Sequence, residues 1–156
     1  MEIFPAPKNQ ADLNRLPAMS LLSVLLFTVA TLGVYSWWWL YSRSLILNSL
    51  LPKERTISKP FMHLCLAGFG ITFLLVIDFS YQPDNLSLKD TINVLMMALN
   101  IMAIVWVFRF RAGMHFLLGP TPTLYHLNAV WTFLFPIFYV QHKINLLHEH
   151  NQPGIM

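Results

Sequence analysis

TLGVYSWWWLY, residues 31–41, sets Trp37, Trp38 and Trp39 side by side between Tyr35 and Tyr41, in a chain with five tryptophans among 156 residues. Successive helical positions point about 100° apart, so one buried face cannot take all three rings. A membrane boundary can, because an amphipathic ring is stable at headgroup level whichever way it points. The run that leads into the tryptophans agrees. From Ser20 to Tyr41 there is no Lys, Arg, Asp, Glu or His, and a helix of that length covers ~33 Å, enough to cross a hydrocarbon core. The bulky aromatics at its end disfavour a cleaved signal peptide, which ends in small residues.

Composition points the same way. Hydrophobic residues make up 56% of the chain and charged residues 11%, against about 25% charged in soluble domains. A net charge of +3 gives no reason to expect a nucleic-acid partner. Cys65 is the single cysteine, so it reads as a small buried hydrophobe with no disulfide or thiolate cluster.

Three further apolar segments follow. Phe61–Ile77 lies between Pro60, suited to a helix start, and Asp78. Ile92–Phe108 is preceded by Ser87-Leu-Lys-Asp90, a capping-box pattern, and stops at Arg109 and Arg111. A fourth begins at Thr121-Pro122, an N-cap followed by proline, and runs to Val140, with Pro136 expected to bend it. The expected fold is therefore all-α, an integral membrane four-helix bundle with helices at about 20–41, 61–78, 90–109 and 122–141. Within it, residues 1–18 form a polar N-terminal tail, 19–147 the transmembrane domain and 148–156 a polar tail. Residues 42–60 form a basic juxtamembrane loop.

Arg43, Lys53, Arg55, Lys59, Arg109 and Arg111 fall on one side of that bundle and Lys8, Arg15, Lys89 and Lys143 on the other. The preference for cytoplasmic Lys and Arg then places loops 42–60 and 110–121 in the cytoplasm and both termini outside. The six basic residues of the first group are expected to meet anionic lipid headgroups. Tyr35, Trp37, Trp38, Trp39, Tyr41 and Trp106 are expected to form the aromatic belt.

The pattern Thr31-x-Gly33-x-Tyr35-x-x-x-Trp39-x-Tyr41, followed by Arg43 and Asn48, resembles the signature of a family of small bacterial multi-pass membrane proteins classed as a domain of unknown function. Phe138-Tyr139-Val140-Gln141-His142-Lys143-Ile144-Asn145 is similar to the aromatic-Gln-x-x-Ile-Asn ending common in that family. The resemblance implies a helical protein of a bacterial inner membrane and transfers no activity.

Polar residues inside the spans are the remaining clues. Asn93 and Asn100 lie seven apart on one helix face, and Asn128 and Thr132 form a comparable stripe. Such groups bridge helices in lipid or line a polar path. Gly68 and Thr72, four apart, suit close helix contact. His63 and His126 lie near helix starts expected on one membrane side, which makes them candidate haem or metal ligands. His142, His148 and His150 are a looser metal candidate. No catalytic constellation stands out and no cofactor is expected. These features favour an accessory or scaffolding membrane protein whose partners are the bilayer and another membrane protein or a second copy. A small transporter or channel is the alternative, and a haem or metal protein the third reading.

Overall fold

The computed structural model describes residues 15–119 and 127–150. Six α-helices occur among them, with no strand: α1 (Leu21–Ala30), α2 (Val34–Leu50), α3 (Lys59–Tyr81), α4 (Leu86–Leu118), α5 (Ala129–Leu134) and α6 (Pro136–His150). The chain divides into two compact units, Ile57–Trp106 and a second made of Met1–Thr56 with Val107–Met156.

The stretch 57–106 contains α3 and the first part of α4, joined by a short turn. Two stretches, Lys53–Tyr81 and Leu86–Leu118, are long and apolar enough to cross a membrane. Within the chain only 17% and 22% of their most apolar windows are buried, so neither is the covered core helix of a globular domain. At Gly68 α3 lies against α4: a Cβ there would be 3.0 Å from Leu99 Cδ2. Phe61 meets Trp106 edge-on at 6.1 Å. The cap of α4 differs from the expected one. Asn85, not Ser87, accepts the Leu88 N–H at 3.0 Å, because the helix starts at Leu86 and Ser87 already lies within it.

In the other unit the predicted helix 20–41 is not continuous. Ser20 caps α1 by accepting from Ser23 N at 3.0 Å, and the helix closes after Ala30 in a Schellman arrangement. Gly33 N–H reaches Thr28 O at 2.8 Å and Leu32 N–H reaches Val29 O at 3.1 Å, with Leu32 at φ 50° and Gly33 at φ 89°, the left-handed geometry of a helix end. The Thr31 hydroxyl spans the break: it donates to Phe27 O at 2.7 Å and accepts from Tyr35 N at 2.9 Å. Thr31-x-Gly33-x-Tyr35 is thus the joint between two helices, which an unbroken hydropathy profile does not register.

The described part of the predicted helix 122–141 is divided as well. Asn128 caps α5 by accepting from Val130 N at 2.8 Å. Proline at the first position of α6 then turns a bend into a full break, since it has no N–H to continue the ladder; Phe135 between them has φ −134° and ψ 59°. α1 packs against both α2 and α6. At Gly113 in α4 an added Cβ would lie 2.8 Å from Leu51 Cδ1 and 3.0 Å from Leu47 Cδ2, so glycine permits that close approach.

Candidate functional site

Starting at Tyr35, every fourth residue of α2 lies on one face: Tyr35, Trp39 and Arg43. Trp39 is 1% exposed and Arg43 3%. α6 presents Gln141 and Asn145 at the same four-residue spacing, and Gln141 is fully buried. The two helices meet through these residues. Trp39 Nε1 donates to Gln141 Oε1 at 2.9 Å, and Gln141 Nε2 donates to Asn145 Oδ1 at 2.9 Å and to Pro17 O at 3.2 Å. Asn145 in turn pairs with the Met19 backbone in both directions, Nδ2 donating to O at 2.7 Å and Oδ1 accepting from N at 3.2 Å. His148 Nε2 donates to Leu16 O at 2.6 Å.

One cation lies inside this network. The Arg43 guanidinium stands 5.2 Å from the centre of the Trp39 ring, its Nη1 donates to Ser42 Oγ at 3.2 Å and its Nη2 to the Met19 sulfur at 3.1 Å. Its Nε is buried and has no hydrogen-bond partner. The Tyr35 hydroxyl also donates to the Met19 sulfur, at 3.2 Å.

The other predicted residues are placed differently. Of the proposed aromatic belt, Trp38 is 56% exposed whereas Trp39 and Trp106 are buried; Trp37, Tyr35 and Tyr41 are half-buried. The adjacent tryptophans therefore point to different surroundings, as their helical geometry requires, and one of them belongs to an internal network. Among the basic residues expected at headgroups, Lys53, Arg55, Lys59 and Arg109 are exposed, with Arg55 lying 4.6 Å from the Phe116 ring centre. Arg43 instead points inward. Arg111 is half-buried and donates from Nε to Leu127 O at 2.6 Å, while Leu127 N donates to His115 Nε2 at 3.0 Å.

Asn93 and Asn100 are exposed on α4, and neither amide side chain forms a hydrogen bond among the described residues. Thr72 and Thr132 are buried but bond within their own helices, to Gly68 O at 2.9 Å and Asn128 O at 2.7 Å, because a hydroxyl on an apolar helix reaches the carbonyl one turn back without needing a neighbour. Asn128 is committed to its cap. His63 is exposed, His126 lies outside the described residues, and among the described residues no group of His, Cys, Asp or Glu is placed to hold a metal.

Residues 19–115 match the family described as a domain of unknown function, DUF4234. The chain belongs to that family. No curated protein and no solved structure matches it. The DUF4234 match takes in the helix joint, Trp39 and Arg43, whereas Gln141 and Asn145 lie beyond its last matched residue. Their part in the site follows from the geometry. Spacing alone could not reveal it, since Trp39 and Gln141 are 102 residues apart.

Proposed function

We propose that this DUF4234 protein is a multi-pass protein of a bacterial inner membrane and serves as an accessory or scaffolding component, docking a membrane partner through its helix faces. The observation that carries the reading is the outer surface of α3 and α4. Leu64, Leu74, Val94 and Met97 are each more than 60% exposed, and so many large apolar side chains in the open are covered by lipid or another helix. In this reading α3 and α4 cross as a hairpin, while α1–α2 and α5–α6 supply two further, broken passages. The stretches 42–60 and 110–121, expected as loops, are on the cytoplasmic side in this reading, although residues 42–50 continue α2 and residues 110–118 continue α4.

The scaffolding role rests on Asn93 and Asn100. They share the face of α4 that carries Met97 and Ile104, away from buried Ile92, Leu99 and Trp106. An amide facing hydrocarbon without a partner is costly, and a helix offering a donor and acceptor removes that cost. The decisive experiment replaces both with Leu. The expected result is an unchanged melting temperature in detergent with loss of the co-purifying partner or oligomer. Intact assembly with lost ion or solute flux in vesicles would instead favour a transport path. Release of the unmodified protein from membranes by alkaline carbonate would defeat the membrane reading altogether.

A further inference from the structure

Arg43 is 3% exposed, yet the described residues around its guanidinium are poor in acceptors for a cation. Among the described residues its five N–H groups find one hydroxyl and one thioether, the Trp39 face covers one side, and Nε is left without a partner. A buried cation without an anionic partner is strongly destabilising, which is why such groups are usually paired. Guanidinium is also the side chain best matched to an oxyanion, presenting parallel N–H donors in a fixed fork.

A second observation shows where such a ligand would sit. Two donors from one helix face, the Tyr35 hydroxyl and Arg43 Nη2, converge on the Met19 sulfur at 3.2 and 3.1 Å. A thioether is a weak acceptor. One neutral and one cationic donor aimed at a single point are the arrangement that binds an anionic oxygen, and the sulfur occupies that point as a stand-in. Met19 sits just before α1 on a backbone held by Asn145, so its side chain can swing aside while the main chain keeps its place. Trp39, fixed by Gln141, holds the guanidinium plane.

We propose that Tyr35 and Arg43 form an internal site for a singly charged phosphate-type oxyanion, which Met19 covers when the site is empty. The single positive charge matches a phosphodiester or a monoanionic phosphate, so both a phospholipid headgroup and a free phosphate carry the required chemistry. The site does not depend on the scaffolding role, and its test is independent of any partner.

The test uses the purified full chain in a neutral detergent, with its melting temperature followed by tryptophan fluorescence at constant ionic strength. Inorganic phosphate is titrated in one arm, and phosphatidylglycerol against phosphatidylcholine in the other. A saturable rise of several degrees is expected in the unmodified protein, because a ligand that binds only the folded state stabilises it. A rise in both arms identifies a general oxyanion site, and a rise with phosphatidylglycerol alone a lipid site. Arg43→Met should abolish the response. Tyr35→Phe keeps the cation but removes one donor and should weaken binding about tenfold, whereas Met19→Ala removes the competing sulfur and should strengthen it. These two variants decide the matter if Arg43→Met does not fold. No rise in either arm, a response that survives in Arg43→Met, or unchanged affinity in both Tyr35→Phe and Met19→Ala would overturn the proposal.

Discussion

In the stretch 57–106, α3 and α4 meet through side chains such as Phe61, Gly68, Leu99 and Trp106, and the buried Thr72 hydroxyl turns back onto its own helix. In the other unit, α2 and α6 meet through Trp39, Gln141 and Asn145, whose polar groups satisfy one another and the backbone of Pro17 and Met19. Apolar contact tolerates sliding and exchange of similar shapes. A buried hydrogen-bond network does not, because each member removed leaves its partners unpaired at the full cost of their desolvation. The comparison teaches that positional sensitivity should be concentrated in the second unit, even though the hairpin has the longer apolar helices.

The largest effect is expected from Trp39→Ala, which deletes a fully packed ring and one end of the network. A loss of about 3–5 kcal/mol is expected, read as a large fall in melting temperature. A loss below 1 kcal/mol would break the contrast at once. Gln141→Leu retains the volume but strands the buried Trp39 N–H, while Asn145 Oδ1 keeps its bond from Met19 N, and should cost about 1–3 kcal/mol. Combined with Trp39→Phe it should cost less than the two single changes added together; simple additivity would show that the bond carries no coupling.

Gly33→Ala forces a Cβ into left-handed geometry at φ 89° and should cost about 1–2 kcal/mol, whereas Gly70→Ala, inside α3 with open space around it, should be neutral or stabilising. Equal melting temperatures for those two variants would remove the joint from the account. The smallest effect is expected in the hairpin. Thr72→Val loses only a bond within its own helix and should change stability by less than about 1 kcal/mol; a larger loss would mean that the hairpin also depends on a polar contact.

What could be read from the sequence follows the same division. The hairpin helices were legible because unbroken apolarity between polar ends is both what hydropathy detects and what forms them; the expected 61–78 and 90–109 lie inside α3 and α4. The first and fourth helices are less regular than their hydropathy. Their breaks at Thr31–Gly33 and Phe135–Pro136 are set by φ angles and hydrogen-bond ladders, which apolar residues obscure. Reading Trp37–Trp39 as a belt failed to separate Trp39, because whether a ring faces lipid or a partner depends on what lies opposite it. For the same reason nothing in the sequence distinguishes Arg43 from the exposed cations. Nothing in the spacing of the segment from Phe138 to Asn145 says that Gln141 meets Trp39.

The clasp made by α6 also sets an order of events. Asn145 holds Met19 and His148 holds Leu16 across separations of 126 and 132 residues, nearly the full length of the chain. Contacts so distant in sequence form only after almost everything between them has been synthesised, and their loop-closure entropy makes them late. Until the ribosome has delivered α6, Arg43 has neither a fixed Trp39 beside it nor a tethered Met19 above it. A nascent chain stalled before Gln141 should therefore be cut readily by protease near Met19, while the finished protein is protected there. α6 acts as a timer that reports its own synthesis to a segment 126 residues earlier.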